Sequence, residues 1–277
     1  MTHGEGKLRT LAGASLYYQS WAPDDSPTAV LLIVHGLAEH SGRYQHFAAF
    51  FVARKYAVFA LDHVGHGKSD GDRCHLGRFS EYTDGVSLLL EQVHEEHPGA
   101  PVFLIGHSMG GLIATRFLIE RQADLAGCVL SGAALKAPAE PPAIQRLLLR
   151  FFSKVVPKLR VLQLDGSQVS RDPAVVDKYR NDPLVFTGKV TARLAEQIFS
   201  EMRSVKDQFD RIRLPVLILH GSEDGLTSPQ GSKMLHEKVA SSNKKLIIYD
   251  GLYHEVYNEP EQDEVMTDVV NWLASSK

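Results

Sequence analysis

Six short apolar runs punctuate the chain, over residues 29–34, 57–61, 102–105, 128–130, 216–219 and 246–249. Each is aliphatic or β-branched, and each gives way to Gly, His, Ser or Asp. Uninterrupted runs of this length predict strands buried on both faces, as in a parallel sheet covered by helices. Between them the apolar residues fall at helical spacing. Phe47, Phe50 and Phe51 do so within 44–54, and Val86, Leu89, Leu90 and Val93 within 82–97, which ends at Pro98-Gly99. Ile113, Phe117 and Leu118 repeat the pattern within 112–121. This alternation predicts βαβ units and a doubly wound α/β sheet. Ahead of it, 8–21 reads as a hairpin turning near Ala12-Gly13.

The alternation stops between about Ser131 and Arg213. This span holds Pro138, Pro141, Pro142, Pro157, Pro173 and Pro183, and its periodicity is helical. It lies between two buried strands, so it reads as an insertion above the sheet. The expected division is a core of 1–133 and 212–277 with a helical cap of 134–211.

One motif sits where the sheet pattern makes it meaningful. Gly106-x-Ser108-x-Gly110 follows the run 102–105 and opens a helix. This is the context of a nucleophile elbow, a tight strand-to-helix turn that lifts a serine hydroxyl clear of the sheet. Side chains two residues to either side of the serine would collide, hence the glycines. A serine hydroxyl needs a base, and the base needs an acid, arriving in the chain order Ser, acid, His. The run 216–219 leads into His220-Gly221-Ser222-Glu223-Asp224, and 246–249 leads into Asp250-Gly251-Leu252-Tyr253-His254. Asp224 and His254 are the expected acid and base. Glu223 is the competing acid, disfavoured by its longer side chain. Asp250 sits too near its strand end. His220 is expected to satisfy a buried strand terminus, and His107 to turn away from the nucleophile. Two oxyanion donors are also required. They are expected from the Met109 amide and from the Leu37 amide in the loop 35–40, where Gly36 permits close approach.

Composition narrows the class. The 277 residues are 44% hydrophobic with a net charge of −3, which gives no global reason to expect a nucleic-acid partner. Cys74 and Cys128 lie far apart and lack metal-type spacing, so free thiols in a reducing compartment are expected. The N-terminal residues open no apolar run, and no signal peptide is expected. No run reaches the length of a membrane span. The expectation is a cytoplasmic protein, with peripheral membrane contact left open. No metal or organic cofactor is implied.

Several segments resemble the monoacylglycerol lipase family. These are His35-Gly36-Leu37-Ala38-Glu39-His40-Ser41-Gly42-Arg43-Tyr44, Asp62-His63-Val64-Gly65-His66-Gly67-Lys68-Ser69-Asp70-Gly71 and Gly106-His107-Ser108-Met109-Gly110-Gly111. Within the insertion, Val169-Ser170-Arg171-Asp172 and Tyr179-Arg180-Asn181-Asp182-Pro183-Leu184 resemble that family's cap. The resemblance implies the α/β-hydrolase fold, the triad Ser108, Asp224 and His254, and hydrolysis of a single-chain glycerol ester. It also implies that Glu39 and Arg43 shape the polar end of the pocket and that Tyr179 contacts the glycerol head. A structural ion pair between Glu39 and Arg43 is the other reading. Tyr257 stands where some members carry a second histidine. A broader carboxylesterase or lysophospholipase uses the same triad and stays open, as does a non-catalytic member of the fold. The cap segments argue against a haloperoxidase or a peptidase.

The stretch 143–164 carries Arg146, Arg150, Lys154, Lys158 and Arg160 among many aliphatic and aromatic residues, with no acid. A cap helix must bury one face, so packing of the apolar side on the core is the expected state. Contact with an anionic membrane surface is the alternative, with the segment also roofing an acyl tunnel.

Overall fold

A computed structural model describes residues 1–276. β1 (Thr2–Arg9) and β2 (Ser15–Ala22) form the expected hairpin, pairing Leu8 with Leu16 and His3 with Trp21. Strands and helices then alternate: β3 (Ala29–Val34), α1 (Gln45–Val52), β4 (Tyr56–Leu61), α2 (Ser80–Glu96), β5 (Val102–His107), α3 (Met109–Arg121) and β6 (Gly127–Ser131). Next come α4 (Ala143–Val155), β7 (Arg160–Leu162), α5 (Pro173–Asn181), β8 (Val190–Thr191) and α6 (Ala192–Lys206). The chain returns to the sheet with β9 (Val216–Gly221), α7 (Pro229–Lys238), β10 (Lys244–Tyr249) and α8 (Gln262–Ser275).

The main sheet has eight strands in the order β1-β2-β4-β3-β5-β6-β9-β10. β1 and β2 are antiparallel and the other six run parallel. Residues alternate faces along a strand, and the core divides accordingly. Val30, Leu32 and Val34 of β3 pack with Leu89 of α2 and Phe117 of α3. Leu31 and Ile33 pack on the other face with Phe47 of α1 and Trp272 of α8. All six apolar runs are strands, with one correction. β10 was expected to be buried on both faces but is half-exposed along most of its length, because it is an edge strand with β9 as its neighbour.

Strand order reverses between β3 and β5: β4 lies on one side of β3, and β5 on the other. The carboxyl ends of strands at such a switch point leave a crevice suited to a ligand. The loops after β3 and β5 both emerge there.

The segment between β6 and β9 is mainly helical, as its periodicity predicts. Asp172 caps α5 by accepting from the Ala174 amide, with Pro173 at the first helical position. Thr191 caps α6 by accepting from the Leu194 amide. The short β7–β8 ribbon was not anticipated; it is too brief to leave a periodic signal. Cross-links tie this segment to the loops over the sheet. The Phe186 amide donates to the Ala38 carbonyl at 2.8 Å, and His40 Nε2 lies 3.0 Å from Asp182 Oδ2.

Packing of α4 departs from expectation. Leu149 packs against the core, but Ile144, Leu147, Leu148, Phe151 and Val155 form an exposed row, Leu147 at 63% and Phe151 at 55%. These residues recur every three to four positions, so they share one helix face. A narrower strip suffices to seat α4 on α6. Among the described residues no helix is long and apolar enough to cross a membrane.

Candidate active site

Ser108 stands between β5 and α3 with φ 54° and ψ −120°, a strained conformation for a residue with a Cβ. Its surroundings hold it there. The Ser108 amide donates to the Ser131 carbonyl, and its own carbonyl accepts from the Gly111, Leu112 and Ala134 amides. The flanking glycines are sterically required. A Cβ on Gly106 comes within 2.8 Å of both the Ala114 Cβ and the Gly110 carbonyl oxygen, and one on Gly110 overlaps the Val34 carbonyl.

His254 and Asp224 meet as the sequence predicts. His254 Nδ1 is 2.7 Å from Asp224 Oδ2, and both residues are buried. Asp224 is clamped further: Oδ1 accepts from the Leu226 and Thr227 amides, each at 2.8 Å, and Thr227 Oγ1 lies 2.8 Å from Oδ2. Burial opposes ionisation, but the His254 charge and the hydrogen bonds from His220 and His254 prevail and hold the Asp224 carboxyl well below its ordinary value. An ionised Asp224 accepts only, so His254 Nδ1 carries the proton and Nε2 keeps its lone pair. Burial pulls the His254 pKa down, but the Asp224 charge and hydrogen bond prevail and raise it above the ordinary 6.5. Ser108 and His254 line the same cavity.

The competing residues are elsewhere or do other work. Glu223 is exposed. Asp250, also exposed, interacts with Ser222 Oγ. His220 is buried at the end of β9 as expected, with Ser232 Oγ 2.7 Å from Nδ1. Its Nε2 also lies 3.0 Å from Asp224 Oδ2, a contact the strand pattern gave no sign of. His107, expected to turn away from the nucleophile, reaches the same cavity as Ser108. Its ring packs 4.7 Å from the His254 ring and lines the cavity, while Nδ1 lies 3.1 Å from the Ser131 carbonyl. Burial and the neighbouring His254 charge push its pKa down to about 4, so it stays neutral when His254 is charged.

Leu37 and Met109 both line the cavity. Met109 is the first residue of α3, so its amide has no partner within the helix. Among the described residues neither amide donates to a protein acceptor. The Gly36 amide, in contrast, donates to Glu39 Oε1 at 2.6 Å, which fixes the loop.

Glu39 is saturated. Oε1 also accepts from Tyr44 Oη at 2.9 Å, and Oε2 from Arg43 Nη1 at 2.7 Å. Arg43 grips Glu255 with both terminal nitrogens, at 2.6 and 2.7 Å, and lies over the Tyr179 ring. Glu255 was missed in the sequence; it follows His254 and gave no signal beyond its charge. Burial opposes ionisation of Glu39, but Arg43, His107, His35 and the Gly36 amide bring its pKa down to about 2. Glu39, Tyr179 and Glu255 line the cavity, whereas Arg43 stands behind its wall with its donors taken by two carboxylates. Tyr257 is buried against Phe47, outside the cavity wall. The cavity measures about 310 Å³ and is otherwise apolar, with Leu164, Val169, Ile198, Phe199, Met202 and Leu226 among its walls. The set suits covalent acyl transfer: a strained serine, an acid–base pair, two unpaired amides and a largely apolar pocket.

Known proteins resemble this chain along nearly its whole length. Residues 25–261 match the family model described as serine aminopeptidase, S33. The monoacylglycerol lipase of Mycolicibacterium smegmatis is 38% identical over 99% of this chain and 98% of that protein. The monoglyceride lipase of Homo sapiens is 34% identical over 95% of this chain and 88% of its own. Among solved structures, the monoacylglycerol lipase of Paleococcus ferrophilus superposes with a TM-score of 0.85 at 33% identity, over 95% of this chain and 99% of that one. With matches of this extent, the chain belongs to the monoacylglycerol lipase family of α/β-hydrolases and is a carboxylic ester hydrolase.

Proposed function

We propose that the protein hydrolyses monoacylglycerols to a fatty acid and glycerol, with Ser108 as nucleophile, His254 as base and Asp224 as the acid that orients it. His254 Nε2 takes the Ser108 proton as the oxygen attacks the ester carbonyl. The Leu37 and Met109 amides receive the oxyanion. His254 then protonates the departing glycerol oxygen, leaving an acyl-serine. Water, deprotonated by the same nitrogen, attacks the acyl carbon, and Ser108 regains its proton as the fatty acid leaves. Asp224 keeps the proton on Nδ1 and stabilises the charged ring.

The observation that carries the substrate reading is the cavity. One apolar pocket of about 310 Å³ meets the nucleophile where Glu39, Tyr179 and Glu255 supply polar atoms. An acyl chain fits the first environment and a small neutral polyol the second. Glu39 and Tyr179 face the head group, and Arg43 positions them from behind. Residues 134–211 form the cap over this pocket. Its exposed α4 row, with Arg150 and Lys154 flanking it, meets the lipid surface from which substrate is drawn.

Steady-state kinetics on monoacylglycerols, short-chain esters and lysophospholipids test the reading. The highest kcat/KM is expected for medium- or long-chain monoacylglycerols. Equal or better turnover of lysophospholipids contradicts it.

A further inference from the structure

A second cavity, of about 180 Å³, adjoins the one holding Ser108. The two share Ala137, Pro141, Phe199 and Met202 as walls. Their charges are opposite in sign. The carboxylates Glu39 and Glu255 line the first, which has no lysine or arginine in its wall. The second gathers Lys136, Arg146, Arg203 and Lys206 against one carboxylate, Glu140. Lys206 Nζ is 4.0 Å from Glu140, the outer limit of an ion pair, and Arg146 donates to the Pro141 carbonyl at 2.8 Å. Arg203 and Lys206 lie in the last turn of α6, where cations favour the helix dipole. That accounts for two of the four. Lys136 arrives from the loop after β6 and Arg146 from α4, so three separate elements converge their cations on this hollow.

Ester hydrolysis creates a carboxylate beside Glu39 and Glu255, where a single guanidinium, Arg43, is already shared between both. Like charges repel, and the more strongly the less water lies between them. A fatty-acid anion reversed in the pocket, with its head among the cations, escapes that repulsion and keeps its chain in apolar surroundings.

We propose that the second cavity binds the carboxylate of a free fatty acid, its acyl chain reaching across the Phe199–Met202 wall into the first. This rests on the reading of that first cavity as the acyl pocket. The product then competes with substrate for the pocket and leaves from the basic side.

The test is inhibition of p-nitrophenyl butyrate hydrolysis by decanoate and, separately, by decan-1-ol, which has the same chain without the charge. Decanoate is expected to inhibit about tenfold more strongly at low salt, as charge-assisted contacts on a partly solvated site allow. In Arg203→Gln/Lys206→Gln, both on the outer turn of α6, the two inhibitors become equal while kcat on the butyrate ester stays unchanged. Lys136→Gln, on a different element, erodes the preference in the same direction. Equal inhibition of the wild type, or a decanoate preference that survives all three substitutions, overturns the proposal. Monoacylglycerol turnover is measured alongside. Its absence sinks the substrate reading and leaves the carboxylate result standing or falling by itself.

Discussion

The proposed chemistry turns on His254, whose surroundings set the direction of its titration. Attack by Ser108 needs the neutral ring. Because Asp224 raises the His254 pKa, kcat/KM on a soluble ester should fall as pH drops through a value above 6.5. An acid limb below 6.5 contradicts the pairing. Asp224→Asn removes the charge and the tautomer control together, and turnover should fall about 10⁴-fold. Arg43 makes a different prediction. Arg43→Met leaves two carboxylates buried without their shared cation, at a cost of about 3–5 kcal/mol. The sign with pH follows from Glu39. With Arg43 present its folded pKa lies near 2, so its stabilisation is complete above the ordinary 4.5 and is lost as pH falls toward 2. Without Arg43, burial dominates, the carboxyl pKa rises and protonation relieves the penalty. Urea midpoints should therefore differ most from wild type at pH 7 and converge toward pH 4; a uniform difference counts against the network. At this scale the sequence was legible where a motif or a strand-end loop marks a single residue, as with Ser108, Asp224 and His254, which the fold does bring together. It was silent on Glu255, on Thr227 and on the contact of His220 with Asp224, which depend on neighbours that the fold brings together.

Among the elements, α4 reverses the ordinary economy of a surface helix. It seats itself through a narrow strip and leaves Ile144, Leu147, Leu148, Phe151 and Val155 in solvent beside its cations. Such a row needs a partner surface. Leu147→Ser/Phe151→Ser should weaken sedimentation with anionic vesicles at least about tenfold, since burying each such side chain is worth roughly 1.5–3 kcal/mol. Kinetics on a soluble short ester should not change. Undiminished vesicle binding removes α4 from the membrane contact. The strands of the sheet were readable as apolar runs because both of their faces are covered. β10 was misjudged because edge position is a property of strand order. The burial of α4 was misjudged for a related reason: periodicity marks an apolar face but not what covers it.

For the whole molecule, the switch point of the sheet brings two loops together and the inserted segment closes a pocket over them. The β3 loop brings the Leu37 amide and Glu39, β5 and α3 bring Ser108 and the Met109 amide, and the loops after β9 and β10 bring Asp224 and His254. The order of these loops along the chain was enough to name the three residues that the fold gathers here. The shape and charge of the pocket were not, because its walls come from segments as distant as Leu37 and Glu255. The central claim is that Ser108 cleaves monoacylglycerols inside this pocket. Fatty-acid release from 1-oleoylglycerol by the wild type and by Ser108→Ala, each checked for an unchanged circular dichroism spectrum, tests it most directly. Rapid release by the wild type and a loss of about 10⁶-fold in the variant are expected. Substantial release by a folded Ser108→Ala protein, or none by the wild type, contradicts it.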